Sequence, residues 1–191
     1  MKNNLNIFFA FILGTFFFSS GVYSKNCDTT FVTKEKNLKK TYAKLSEISL
    51  KCGVSSDIFL EHSEKAILAE RPIEALWSAQ KGIWRLKPNS NQELRLRLYL
   101  ARGTALLKLN RYEEAIIHLR KASLDYHEGR PVWGQKREIV QRAYLMLVKT
   151  YFEKENEKIS KDVLFLISLF NEKFPKSPYL SLVKNWLKEN R

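Results

Sequence analysis

Cys27, Cys52, His62, His118 and His127 are the side chains best suited to metal or redox chemistry. Their spacing argues against both. Cys-x24-Cys is neither a zinc spacing nor the C-x-x-C of an oxidoreductase, and no two of the histidines stand at i, i+4. The adjacent pair Glu113-Glu114 has the composition of a two-carboxylate site. Neighbouring residues on a helix point about 100° apart, however, and acids in a first turn are held there by the helix dipole. No G-x-S-x-G elbow, phosphate loop, G-x-G-x-x-G or H-E-x-x-H is present. The chain is therefore expected to be no enzyme and to carry no cofactor and no metal.

The elements that position these residues follow from composition. The chain has 191 residues, 45% hydrophobic and 28% charged, which suits one ordinary domain and excludes collagen-like and disordered classes. Seven Gly and five Pro are too few for the tight turns of a β protein, so an all-α fold is expected. Lys and Arg outnumber Asp and Glu by 33 to 20, a formal charge of +13, which favours an acidic partner.

Lys2, the uncharged run Leu5–Val22 with its apolar heart Ile7–Phe18, and Val22-Tyr23-Ser24 have the layout of a secretory signal peptide cleaved after Ser24. An uncleaved anchor is the competing reading, but the apolar heart is shorter than the roughly 20 residues a spanning helix needs. No later stretch is apolar enough to span, so no membrane span is expected after cleavage. Cys27 follows Lys25-Asn26 rather than a short apolar-small stretch, which argues against lipid acylation. In an exported chain an even cysteine count favours a Cys27–Cys52 disulfide over two unpaired thiols. On the chain-entropy account that loop would contribute about 3 kcal/mol. The expected division is 1–24 signal peptide, 25–55 N-terminal helix region, and 56–191 a single helical domain.

Apolar residues recur at helical spacing along the chain. Leu38, Tyr42, Leu45 and Ile48 mark one helix from Thr33, with lysines on its remaining faces. Those lysines are either a solvated face or a partner site. Helices follow over about 56–69, from Pro72 to before Pro88, from the capping box Ser90-x-x-Glu93 to about Leu109, and over 112–125. Asn110 suits a left-handed stop, and Gly129-Arg130-Pro131 a loop. Three more helices are expected, through Val140–Tyr151, over 160–174, and from Ser177-Pro178 to about Glu189.

Tyr99-Leu100-Ala101-Arg102-Gly103-Thr104-Ala105-Leu106, followed by Arg111-Tyr112-Glu113-Glu114-Ala115-Ile116 and Lys121-Ala122, resembles a tetratricopeptide repeat. Small Gly103 and Ala115 would let two antiparallel helices approach closely, with Tyr99, Leu106 and Leu119 filling the seams. Phe59, Ser63, Ala66, Ala75 and Pro88 fit the same template one unit earlier, and Tyr144, Leu147, Val148 and Tyr151 restate its first helix one unit later. Units ending in Phe174-Pro175-Lys176-Ser177-Pro178-Tyr179 are similar to those of periplasmic barrel-assembly lipoproteins, although this chain lacks their lipid-anchor Cys. The resemblance implies a short right-handed solenoid of antiparallel helix pairs. It would comprise about three repeats, an N-terminal helix and a C-terminal capping helix, in a bacterial envelope protein that binds other proteins.

In such arrays the first helices line a concave wall. That face would present Arg97, Leu100, Thr104, Leu107 and Lys108, then Arg142, Leu145, Lys149 and Phe152, preceded by Asp57, Leu60, Glu64 and Ile67. Residues 92–149 carry twelve basic and six acidic groups, whereas 53–91 carry five of each, so the positive excess is regional. Either these residues form an open groove or Leu100, Leu107 and Leu145 are buried by the terminal helices. Trp77 and Trp84 share a helical face and read as a seam before a ligand platform, while Trp133 is the candidate for an exposed anchor. The expected partner is a protein or peptide, an acidic one by charge, and nucleic acid is not expected. An exported, non-catalytic scaffold in the periplasm is the first functional reading. A secreted basic protein acting on anionic membrane or polymer outside the cell is the second.

Overall fold

The computed structural model describes residues 28–35, 37–124, 134–156 and 158–190. The expected signal peptide, Cys27, Trp133 and the rest of 125–133 lie outside the described residues. All regular structure among the described residues is helical. The helices are α1 (Thr30–Lys34), α2 (Leu38–Lys51), α3 (Ser56–Leu68), α4 (Pro72–Trp84), α5 (Gln92–Lys108), α6 (Tyr112–Ala122), α7 (Gln135–Lys154), α8 (Lys161–Lys173) and α9 (Leu180–Glu189).

Local chemistry accounts for most of these ends. Pro72 opens α4, where its missing N–H would have no helical partner anyway. The Ser160 side chain caps α8 by accepting from Val163 N. Two boundaries differ from the sequence reading. Asn91, not Ser90, caps α5, its Oδ1 accepting from Glu93 N at 2.9 Å, while Ser90 Oγ accepts from Lys87 N in the preceding turn. The first helix is also split: Asn37 caps α2 through Lys40 N, and α1 ends at Lys34.

Sequential helices pack as hairpins. Ser63 Oγ donates to Ala75 O at 2.8 Å, His62 Nδ1 bonds Ser78 Oγ at 2.7 Å, and the Phe59 and Trp77 rings meet at 5.7 Å. As numbering rises on α3 it falls on α4, so the two run antiparallel. The next pair also approaches closely: a Cβ at Gly103 would sit 2.6 Å from Leu119 Cγ. α3 also touches α5, and α5 touches α7, so the first helices of successive hairpins stack. Leu106, Leu119, Leu147 and Val163, all fully buried, knit α5, α6, α7 and α8 into one core.

The two inner turns are copies of each other. Glu70 and Asn110, forty positions apart, both take a left-handed conformation with φ of 56° and 58°. Arg71 N donates to Ala66 O as Arg111 N does to Leu106 O, and Ala75 N to Arg71 O as Ala115 N does to Arg111 O. Arg71 then pairs with Glu74, and Arg111 with Glu114. Asn110 is the left-handed stop that its residue type suggests; Glu70 carries no such signal, because an L residue with a long side chain rarely adopts that conformation.

His62 is fully buried, and burial lowers its pKa to about 4. In the unfolded chain the ring takes its proton near pH 6.5, before the folded chain does. Stability is therefore complete above pH 6.5 and falls as pH drops from there toward 4, by up to about 1.4 kcal/mol per pH unit. Urea midpoints at pH 7 and pH 5 should differ clearly in the parent chain and by about half as much in His62→Gln, because burial also lowers the His118 pKa to about 4. Equal losses in both would remove His62 as the cause.

Cys52 closes α2, but its expected partner Cys27 lies outside the described residues. The chain purified without reductant is expected to gain the mass of two hydrogen atoms on reduction. Two thiols that alkylate without reduction would exclude the bridge.

Candidate partner-binding site

The nine residues expected to line one wall fall into two groups. In the α5 group the cations are already engaged. Arg97 grips Glu64 on α3 through two hydrogen bonds of 3.0 and 2.6 Å, and Glu93 lies 4.0 Å away. The Glu64 bonds raise the Arg97 pKa against the opposing effect of burial. Lys108 lies 4.0 Å from Glu70 in the repeated turn. The acidic sector of α3 and the basic sector of α5 thus face each other across their own seam. Leu107 is buried, and Leu100 and Thr104 are half-buried. Of the preceding residues, Asp57 is exposed, Leu60 is buried, and Ile67 and Glu64 are half-buried.

The α7 group is different. Leu145, Lys149 and Phe152 line a pocket of about 370 Å³ between α7 and α9, together with Met146, Val148, Glu153, Leu182, Val183 and Trp186. Its floor is apolar. Phe152 is buried and meets Trp186 edge-to-face at 4.6 Å. Leu182 remains 61% exposed on the rim, and no other large apolar residue of α9 is as open. Lys149 reaches Glu153 at 3.5 Å yet stays exposed, and Arg142 is exposed about two helical turns before it.

α9 is held over α7 by a polar latch that precedes it. Ser177 Oγ donates to Gln141 Oε1 and accepts from Tyr179 N, and both side chains are buried. This is the role of the Ser177-Pro178 phrase. Leu182, Val183 and Trp186 were not in the expected wall, because sequence spacing places them on one face of α9 without saying what that face meets. Chemically, the pocket can take a bulky apolar side chain beside Lys149, which Glu153 shares; Arg142 is exposed on α7 but is not among the lining residues.

Most of the remaining chemistry-bearing residues that are described have structural partners, while His127 lies outside the described residues. Glu113 pairs with Lys154 at 2.8 Å and Glu114 with Arg111, both from the first turn of α6. His118 stacks on Tyr99 at 5.9 Å, and burial, then the nearby Arg102 and Lys121 charges, lowers its pKa to about 4. Trp77 packs edge-on against Tyr42 and Phe59, as a seam residue. Trp84 is exposed. Among the described residues no group of His, Cys, Asp or Glu could hold a metal, and no helix is long and apolar enough to cross a membrane. No protein-family model, curated protein or solved structure matches the chain.

Proposed function

We propose that this chain is an exported, non-catalytic helical-repeat scaffold of the tetratricopeptide kind that holds a protein segment in the bacterial cell envelope. The repeated turn at Glu70 and Asn110, and the stacking of alternate helices, support the repeat reading. The observation that carries binding is the α7–α9 pocket, where Leu145, Lys149 and Phe152 converge with an exposed Leu182. Apolar contact in the pocket would supply most of the holding energy, at roughly 1.5–3 kcal/mol for one fully buried side chain. Arg142 and Lys149 would steer an acidic segment toward it.

The reading is tested by capture from envelope extract on the whole exported chain, after fractionation has located it. Recovery in the periplasm is expected, and recovery mainly from medium favours the secreted reading. A captured protein should be lost with Leu182→Glu and should associate more slowly, with flatter salt dependence, with Arg142→Glu and Lys149→Glu. Capture unchanged by all three variants would place binding elsewhere.

A further inference from the structure

A second surface, independent of the pocket, lies on the outward side of α4. Eight large apolar residues are exposed among the described residues, and the four most exposed gather here. Leu68, 85% exposed, sits just before the turn into α4; Ile73 and Trp84, 70% and 67% exposed, lie on α4 itself. Leu50, 75% exposed, is brought to the far end, where Arg85 Nη2 reaches the Ser49 carbonyl at 3.5 Å. Ile73 and Trp84 share one face of α4, with Trp77 between them half-buried against Tyr42 and Phe59. The opposite side of α4 is spent on the fold: Ala75, Ser78, Ala79 and Gly82 are buried, against α3 and α5.

The charge is positive at the Trp84 end of this helix and mixed at the Ile73 end, where Glu70 and Glu74 stand beside Arg71. No acidic residue occurs between Glu74 and Glu93, while Lys81, Arg85 and Lys87 fall in that interval. Glu74 is engaged with Arg71, and Glu47 with Lys51. The Lys81 ammonium lies 5.0 Å above the Trp84 ring. An aromatic ring beside an ammonium, with aliphatic groups to either side, is the combination that settles at the headgroup level of a bilayer. Scattered single apolar residues need no explanation, but here the four most exposed of the described residues lie on α4 or near its ends, with Ile73 and Trp84 about 16 Å apart on one face.

We propose that the outward face of α4 docks on an anionic lipid surface, with Ile73 and Trp84 entering the interface and Lys81, Arg85 and Lys87 meeting the headgroups. Charge complementarity selects an anionic surface, and the form of the site selects lipid over a peptide. Ile73 and Trp84 are separate protruding side chains about 16 Å apart rather than the lining of one enclosed groove, and a bilayer requires no groove. A scaffold docked in this way would keep the α7–α9 pocket for its protein partner.

The test is cosedimentation of the full chain with vesicles of phosphatidylglycerol and phosphatidylcholine, against phosphatidylcholine alone. Binding to the anionic vesicles that weakens with salt is expected. Ile73→Ser with Trp84→Ser should weaken it about tenfold or more, and Lys81→Glu with Lys87→Glu should remove the preference for anionic lipid. Brominated lipid should quench Trp emission in the parent more than in Trp84→Phe, which assigns the contact to this face whatever the N-terminal segment does. Failure to bind anionic vesicles, or binding and quenching unchanged in these variants, would overturn the proposal. So would a dimer in solution that dissociates in the Ile73/Trp84 variant, since the face would then belong to a second copy.

Discussion

Gly103→Leu should lower the melting temperature by about 6–12 °C. A Cβ at this position would stand 2.6 and 2.7 Å from Leu119 Cγ and Cδ2, and 3.3 Å from the Leu119 backbone N. The first atoms could move with a rotamer, but the backbone cannot yield without parting α5 from α6. Forcing bulk into a packed seam costs about 1–3 kcal/mol and sometimes more. A leucine, with three further carbons to place, belongs at about 3 kcal/mol or above. Higher helix propensity returns less than about 1 kcal/mol. In a chain of this size each kcal/mol moves the midpoint by about 2–4 °C. Gly82→Ala is the contrast: its closest neighbour is Leu98 Cδ2, the free end of a flexible side chain, though Phe59 Cβ follows at 3.2 Å. It should change stability by less than about 1 kcal/mol, and a loss there as large as at Gly103 would contradict the close-approach account.

Phe152→Ala should cost about 3–5 kcal/mol, the usual range for emptying a buried aromatic site. Phe152 is only 7% exposed, belongs to the central core with Leu106 and Leu147, and forms the surface on which Trp186 rests. Its loss should loosen α9 as well as lower the midpoint, seen as a red shift of Trp186 emission relative to the same change in a Trp186→Phe background. A stable Phe152→Ala chain with unaltered emission would mean that α9 does not rest on α7. Because Phe152 and Leu107 are core residues, neither is a clean probe of partner binding; Leu182, Arg142 and Lys149 are.

Local signals were legible in the sequence, and long-range ones were not. Pro72, Asn110 and Ser160 act through their own backbone or the next turn, so residue type alone located them. The split at Asn37 and the choice of Asn91 over Ser90 turn on which of two nearby polar side chains the backbone selects, and spacing cannot rank those. In the site, the alignment brought Leu145, Lys149 and Phe152 to one wall. It could not foresee that Glu64 and Glu70 occupy Arg97 and Lys108, because those pairs join residues 33 and 38 positions apart through the stacking of α3 on α5. Nor could it place Trp186, whose role depends on the Ser177–Gln141 latch folding α9 back over α7.

The most direct test of the central claim is photocrosslinking in living cells from a benzophenone-bearing residue placed at Leu182, on the rim of the α7–α9 pocket. Ile117, also exposed but on α6, is the matched control. The account predicts a discrete protein adduct from position 182 that is absent from 117 and forms more slowly when Arg142→Glu and Lys149→Glu are added. No adduct from 182, or the same adducts from both positions, would contradict it.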